Sequence, residues 1–183
     1  MRRTWELLAA SVVVSMLNQS ALTAQAPTPP KPTEAHQRLA YFVGKWTNEG
    51  EMKPGPMGPG GKITSVDTCE WFEGRFAIVC RYDGKGPMGP SKGMGIISYS
   101  PDAKAYTYYA IDNSGMARTT VPRGTVQGDT WTYHDESEMG GMKIKSRVTL
   151  KELSPSAYTF LMEFMGPDGK WAPLIESKLT KGK

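Results

Sequence analysis

His36 and His134 are the only imidazoles in the chain, so any base or metal centre built on histidine must use one of them. His36 falls in what reads as the first turn of a short helix, far along the chain from any acidic cluster. His134 has the parity opposite to Trp131 and Tyr133 and is expected to face solvent. The run Asp135-Glu-Ser-Glu138 could offer oxygens to calcium, but its spacing is not that of a known loop, and it reads as a solvated turn ending a strand. Gly84-x-Gly86-x-x-Gly89 spells a dinucleotide fingerprint, a chemistry that needs a helix N-terminus behind the loop; here Pro87 and Pro90 lead into another strand. Residues 55–62 approach a phosphate-binding loop but carry Pro56 where glycine is required and no hydroxyl after Lys62. There is no Gly-x-Ser-x-Gly elbow, no His-Glu-x-x-His and no nucleophile beside an obvious base. The common hydrolases are thereby disfavoured, while an isomerase or cyclase working in a barrel cavity is not.

Sulfur is the other reactive element. Cys69 and Cys80 do not fit a common zinc spacing. Methionines sit mostly in glycine-rich turns: Gly-Pro-Met-Gly-Pro occurs at 55–59 and again at 86–90, followed by Met139-Gly-Gly-Met142 and Met165-Gly-Pro. Clustered thioethers can serve as an adaptable apolar rim or as soft ligands for Cu(I) or Ag(I).

The elements that position these residues begin with a leader. Arg2 and Arg3, the apolar run Leu7 to Leu17 and Ala24-Gln25-Ala26 read as a signal peptide over 1–26, and the run is too short to span a bilayer. The expected product is exported, periplasmic or secreted, with no stable membrane anchor after processing. It has 157 residues, and its formal charge falls from +4 to +3, which is no nucleic-acid footprint. Residues 27–33 form a proline-rich tether, and 34–183 a single domain.

Thr33 is placed to cap a helix over 34–43, with Ala35, Leu39, Phe42 and Val43 on its apolar face and Gly44 stopping it. The period then changes to two. Ten segments follow, at about 45–53, 61–72, 75–84, 92–100, 104–112, 116–126, 129–136, 142–152, 157–165 and 170–179. No crossover helix fits between any two, so neighbours pair as hairpins. Ten strands in a row leave two open edges unless the sheet closes. The expectation is an all-β, up-and-down antiparallel barrel of about ten strands with a short N-terminal helix.

Parity sets the lining. A turn at Glu73-Gly74 puts Ile63, Cys69, Trp71, Phe76, Ile78, Cys80 and Tyr82 on one face and Glu70, Arg75 and Arg81 on the other. The candidate ligand-binding residues are Trp71, Phe76, Ile78, Trp131, Tyr133, Phe160 and Met162. Alternate loops share one end of such a barrel, so Met57, Met88, Met116, Met139, Met142 and Met165 gather at its mouth. Export permits a Cys69–Cys80 disulfide. With a two-residue turn the pair is diagonal, Cα atoms roughly 7–8 Å apart, which is wide for a bond. A four-residue turn at 73–76 would set them directly opposite.

Glu34-Ala-His36-Gln-Arg-Leu39-Ala-Tyr-Phe42-Val-Gly44-Lys-Trp46 resembles the opening of calycins, the lipocalin and fatty-acid-binding superfamily. With Glu73-Gly-Arg-Phe76, Gly93-Met-Gly-Ile-Ile-Ser-Tyr99, Tyr106 to Asp112 and Asp168-Gly-Lys-Trp171, the chain more closely resembles a bacterial secreted family, domain of unknown function 1579. The resemblance implies a calycin-like barrel with one open and one closed end, Gly44 and Trp46 plugging the latter. Haem-binding barrels of the nitrobindin kind use a histidine near the chain end, and none follows His134 here. Lipocalins cover the tryptophan with a last-strand arginine, for which this sequence offers Lys178.

The function expected is non-catalytic binding of a small apolar molecule inside the barrel, with no cofactor and no nucleic-acid partner. The alternatives are a soft-metal site at the mouth and an enzyme using the same cavity.

Overall fold

The structure, a computed structural model, describes residues 30–55, 58–115, 120–139 and 141–182, without the side chains of Met139 and Met142. The leader 1–26 lies outside the described residues, as do Met57 and Met116.

Thr33 caps the first turn by bonding His36: its N–H donates to Nδ1 at 3.1 Å, and its hydroxyl lies 2.8 Å from the same atom. The expected single helix is instead one α-turn, α1 (Glu34–Gln37), followed by a 3-10 segment, Arg38–Phe42. The tighter winding has a packing reason. Three residues per turn align positions three apart, so Leu39 and Phe42 point the same way, and both are buried.

The strands are β1 (Gly44–Met52), β2 (Gly61–Trp71), β3 (Ala77–Gly86), β4 (Gly89–Ser100), β5 (Ala105–Asp112), β6 (Arg123–Gln127), β7 (Thr130–Met139), β8 (Met142–Ser154), β9 (Ala157–Met165) and β10 (Trp171–Lys181). Each pairs antiparallel with the next, and β10 returns to β1, closing the barrel. Closure removes both sheet edges. β2 shows the cause in its burial, inward positions shielded and outward ones exposed in strict alternation over 61–68.

Three local features differ from the sequence reading. The β2–β3 connection is the four-residue alternative: Phe72 N–H bonds Ala77 O at 2.9 Å around residues 73–76. Gly74 and Arg75 both take positive φ, 80° and 60°, to make the turn. Cys69 then lies opposite Cys80 and the two are disulfide-bonded, Cα atoms 3.9 Å apart. Second, β6 begins only at Arg123, because Pro122 has no N–H to give a ladder. Among the described residues, Tyr106–Gly124 and Thr107–Arg123 are the pairs that join β5 to β6. Third, the acidic run 135–138 is not a turn. β7 continues through it, and Glu136 ion-pairs with Lys145 on β8 at 3.0 Å.

The core sits at one end. The α1 and 3-10 segment covers that end, and Leu39 and Phe42 pack against Trp46, Ile78, Ile97, Tyr106, Trp131, Leu150, Tyr158 and Leu179.

Candidate functional site

The closed end is sealed by bonds from the cap to the surrounding strands. Tyr41 OH donates to Ser154 O and Ala157 O, each at 2.9 Å, and Tyr106 OH donates to Ala35 O at 2.9 Å. Burial, with Glu152 nearby, pushes the Tyr41 phenol up to about 12. Arg38 lies over the Trp131 ring at 5.2 Å and bonds Glu152 Oε1 at 2.6 Å, the oxygen that also accepts from Trp131 Nε1. His36, 4% exposed, meets Phe76 and Tyr99 edge-on at 5.2 and 5.5 Å. This is a structural histidine with its Nδ1 already engaged.

Trp46 forms the floor. It is 0% exposed, its Nε1–H donates to Phe42 O at 2.7 Å, and Lys181 Nζ lies 5.0 Å over its ring. Lys181, not the exposed Lys178, therefore makes the covering contact, because β10 runs two residues past the end expected at 179. Gly44 is needed for the same contact. Its φ is +126°, and a Cβ there would come within 2.8 Å of Lys181 Cε.

Above the floor, inward positions change character. Asn48, Ser65, Asp67, Tyr82, Tyr108, Val148, Phe160, Met162 and Ser177 are half-buried. Asn48 Nδ2 donates to Ser65 Oγ at 3.3 Å, and Ser65 Oγ–H donates to Asp67 Oδ1 at 2.6 Å. Burial raises the Asp67 carboxyl above its ordinary range, partly offset by the Ser65 bond. Tyr158, packed beside the floor, is raised by burial first and by Asp67 next. Three inward polar atoms, Asn48 Oδ1, Ser177 Oγ and Tyr133 OH, are buried with no hydrogen-bond partner. Glycines let the rings lie along the wall: a Cβ on Gly93 would strike Tyr82, on Gly95 Tyr108, and on Gly124 Tyr133, all within 2.6 Å.

The aromatic candidates divide by height. Ile78 and Trp131 are wholly buried in the floor, and Tyr133 sits there with only its hydroxyl unbonded. Trp71 and Phe76 flank the closed end, Trp71 beneath the Arg75 guanidinium at 5.8 Å and Phe76 beneath His36. Phe160 and Met162 stand higher, opposite Leu150 and Val148. Parity alone missed Asn48, Ser65, Asp67 and Ser177, although Ser65 and Asp67 share the odd parity of Ile63, Cys69 and Trp71. Being polar, they fall outside an inner set defined by apolar side chains.

At the other end, Met88 is 65% exposed with its Sδ 3.3 Å from the Cβ position of Gly58, so the β1–β2 and β3–β4 connections touch there. Met165 is half-buried at the end of β9, near Trp171 and His134 in a shallow outer groove. Met139 and Met142 are backbone register partners at the end of the β7–β8 pair. His134 is exposed as expected, its ring 6.3 Å from Trp171. Among the described residues no three His, Cys, Asp or Glu side chains gather as a metal cluster.

A family model described as a protein of unknown function, DUF1579, matches residues 31–181. The chain belongs to the DUF1579 family. No curated protein matches it. Among solved structures, this DUF1579 chain is similar to Rv2717c from M. tuberculosis, with a TM-score of 0.58 at 11% identity, covering 82% of this chain and 99% of that one. It is also similar to the S-type phycobiliprotein lyase CPES from Guillardia theta, with a TM-score of 0.55 at 14% identity, covering 81% and 93%. At such identities the likeness is one of fold: a calycin-like barrel.

Proposed function

We propose that this chain is an exported, non-catalytic binding protein that holds one small molecule in the barrel above Trp46. The observation that carries the reading is the layering of the interior. A dense aromatic floor closes one end, and above it half-buried inward side chains leave polar atoms without partners. Such atoms are costly when orphaned, about 1–3 kcal/mol each, a cost that an interior built for packing alone would not carry. The Cys69–Cys80 bond supports export, since disulfides persist in oxidising compartments. Phe160, Met162 and Val148 supply apolar surface for the ligand's body.

The test is a fluorescence titration with the neutral dye N-phenyl-1-naphthylamine. Saturable enhancement at one dye per chain is expected, lost in Val148→Trp, whose side chain would fill the lumen between Tyr133 and Met162. No enhancement, or enhancement indifferent to Val148→Trp, contradicts the proposal.

A further inference from the structure

A groove runs along the outer wall over β6 and β7, away from the lumen. Trp131 and Tyr133 are buried inward, so Thr130, Thr132 and His134 point outward by alternation. Thr125 and Gln127 on β6 stand opposite Thr132 and Thr130, and with His134 these residues line a groove of about 450 Å³. That is within the range of about 300–1,000 Å³ found for small-molecule sites. His134 also borders a second hollow of about 210 Å³, where Met165, Trp171 and Glu136 lie. The two are continuous through His134. From Thr130 to Glu136 the trough covers about 20 Å at the rise of a strand.

One end of the trough holds an aromatic ring fixed in place. Glu163 is on the outer wall, opposite Arg147 on β8, yet it is 7% exposed. Its Oε2 accepts from Arg147 Nε at 2.8 Å and Nη2 at 2.7 Å. The guanidinium so anchored lies 4.6 Å over the Trp171 ring, and the His134 ring is tilted 6.3 Å from it. Trp171 is half-buried and lines the trough, so its ring is set before any ligand arrives and little ordering remains to be done. Charges at this end are matched, Arg147 with Glu163 and Lys145 with Glu136 at 3.0 Å. The other end is a bed of threonines with Gln127. Their hydroxyl and amide groups both donate and accept, Thr130 already donating to Asp129 Oδ1 at 2.7 Å.

A long, shallow trough with hydroxyls along its bed and a fixed ring at its end matches one ligand chemistry. We infer that this outer groove is a second binding site, for a neutral oligosaccharide chain. Sugar rings carry hydroxyls around their edges and weakly positive C–H groups on their faces. The faces stack on Trp171, whose π face is negative, and the edges exchange hydrogen bonds with Thr125, Gln127 and Thr132. Each threonine also offers a methyl beside its hydroxyl, the same mixture that the sugar presents. A hydrocarbon would leave the threonine bed unmatched, and a charged chain would find the charges beside Trp171 already paired. The site is separate from the lumen and does not depend on it.

The test is calorimetric titration at pH 7 with the neutral tetrasaccharides maltotetraose, cellotetraose and chitotetraose, and with tetragalacturonate as the charged counterpart. At least one neutral chain is expected to bind with a Kd of about 1 mM or tighter, and tetragalacturonate more weakly. Trp171→Ala should weaken that binding at least about tenfold. Thr132→Val keeps the side chain's shape and its preference for a strand while removing one hydroxyl, and should weaken binding about two- to tenfold. Adding N-phenyl-1-naphthylamine, the lumen probe, should leave the affinity for the sugar unchanged. Absence of binding by all three neutral chains, tighter binding of tetragalacturonate, displacement of the sugar by the dye, or an affinity that Thr132→Val does not alter overturns the proposal.

Discussion

Asp67 is held inside the barrel, where its carboxylate accepts from the Ser65 hydroxyl, and burial raises its carboxyl from 3.8. The sign of the resulting pH dependence follows. Below 3.8 the carboxyl is protonated in both folded and unfolded chains and costs nothing. Above it the unfolded chain ionises first, so the fold loses stability as pH rises through the raised value, and the loss is complete beyond it. The Asp67 charge raises the Tyr158 phenol, and the hydrogen bond from the Ser65 hydroxyl moderates the rise at Asp67 itself. Asp67→Asn is therefore expected to raise the melting temperature at pH 7 and to give no gain at pH 3, by calorimetry at both. An unchanged or lower Tm at pH 7 would mean the carboxylate is stabilising and the account of the interior is wrong. Gly44 and Trp46 make the opposite case, where a residue is kept for the fold. Trp46→Ala should cost about 3–5 kcal/mol in urea unfolding. Gly44→Ala should cost about 1–3 kcal/mol, because φ +126° is strained for a residue with a Cβ, which would also push the Lys181 side chain aside. A cost below 1 kcal/mol for Trp46→Ala would show that the floor is not built around it.

The elements were legible to the extent that their signals were local. Strand number, order and inward parity follow from period-two alternation between glycine-rich turns, and the bounds of β9 agree with the expectation to the residue. Register across the β2–β3 turn was not legible, since two- and four-residue turns give the same parity and only the fold selects the latter. That choice makes the disulfide. Double replacement Cys69→Ser/Cys80→Ser should cost about 2–3 kcal/mol, the chain-entropy value for a short closed loop. Thiol counting on denatured, unreduced protein should give none, and two free thiols would refute the bond. Where a proline interrupts the pattern the reading overshot: Pro122 delays β6, and Pro173 sits at a register shift between β9 and β10. Polar inner residues such as Asn48 and Ser177 escaped notice for a different reason: what gives them meaning is the missing partner, a property of three dimensions.

For the whole molecule, the barrel divides its labour along its axis. The 3-10 cap, Arg38–Glu152, Trp46 and Lys181 spend the apolar and aromatic side chains on a rigid end, which leaves the rest of the lumen free to carry groups that weaken the fold. A core serving stability alone would fill that space with hydrocarbon. The most direct check is native mass spectrometry of the protein isolated from its own compartment, with the same preparation extracted after denaturation. The account predicts a single organic adduct, one per chain, released on unfolding and absent in Val148→Trp. A bare polypeptide mass, with no stoichiometric compound in the denatured extract, would contradict it.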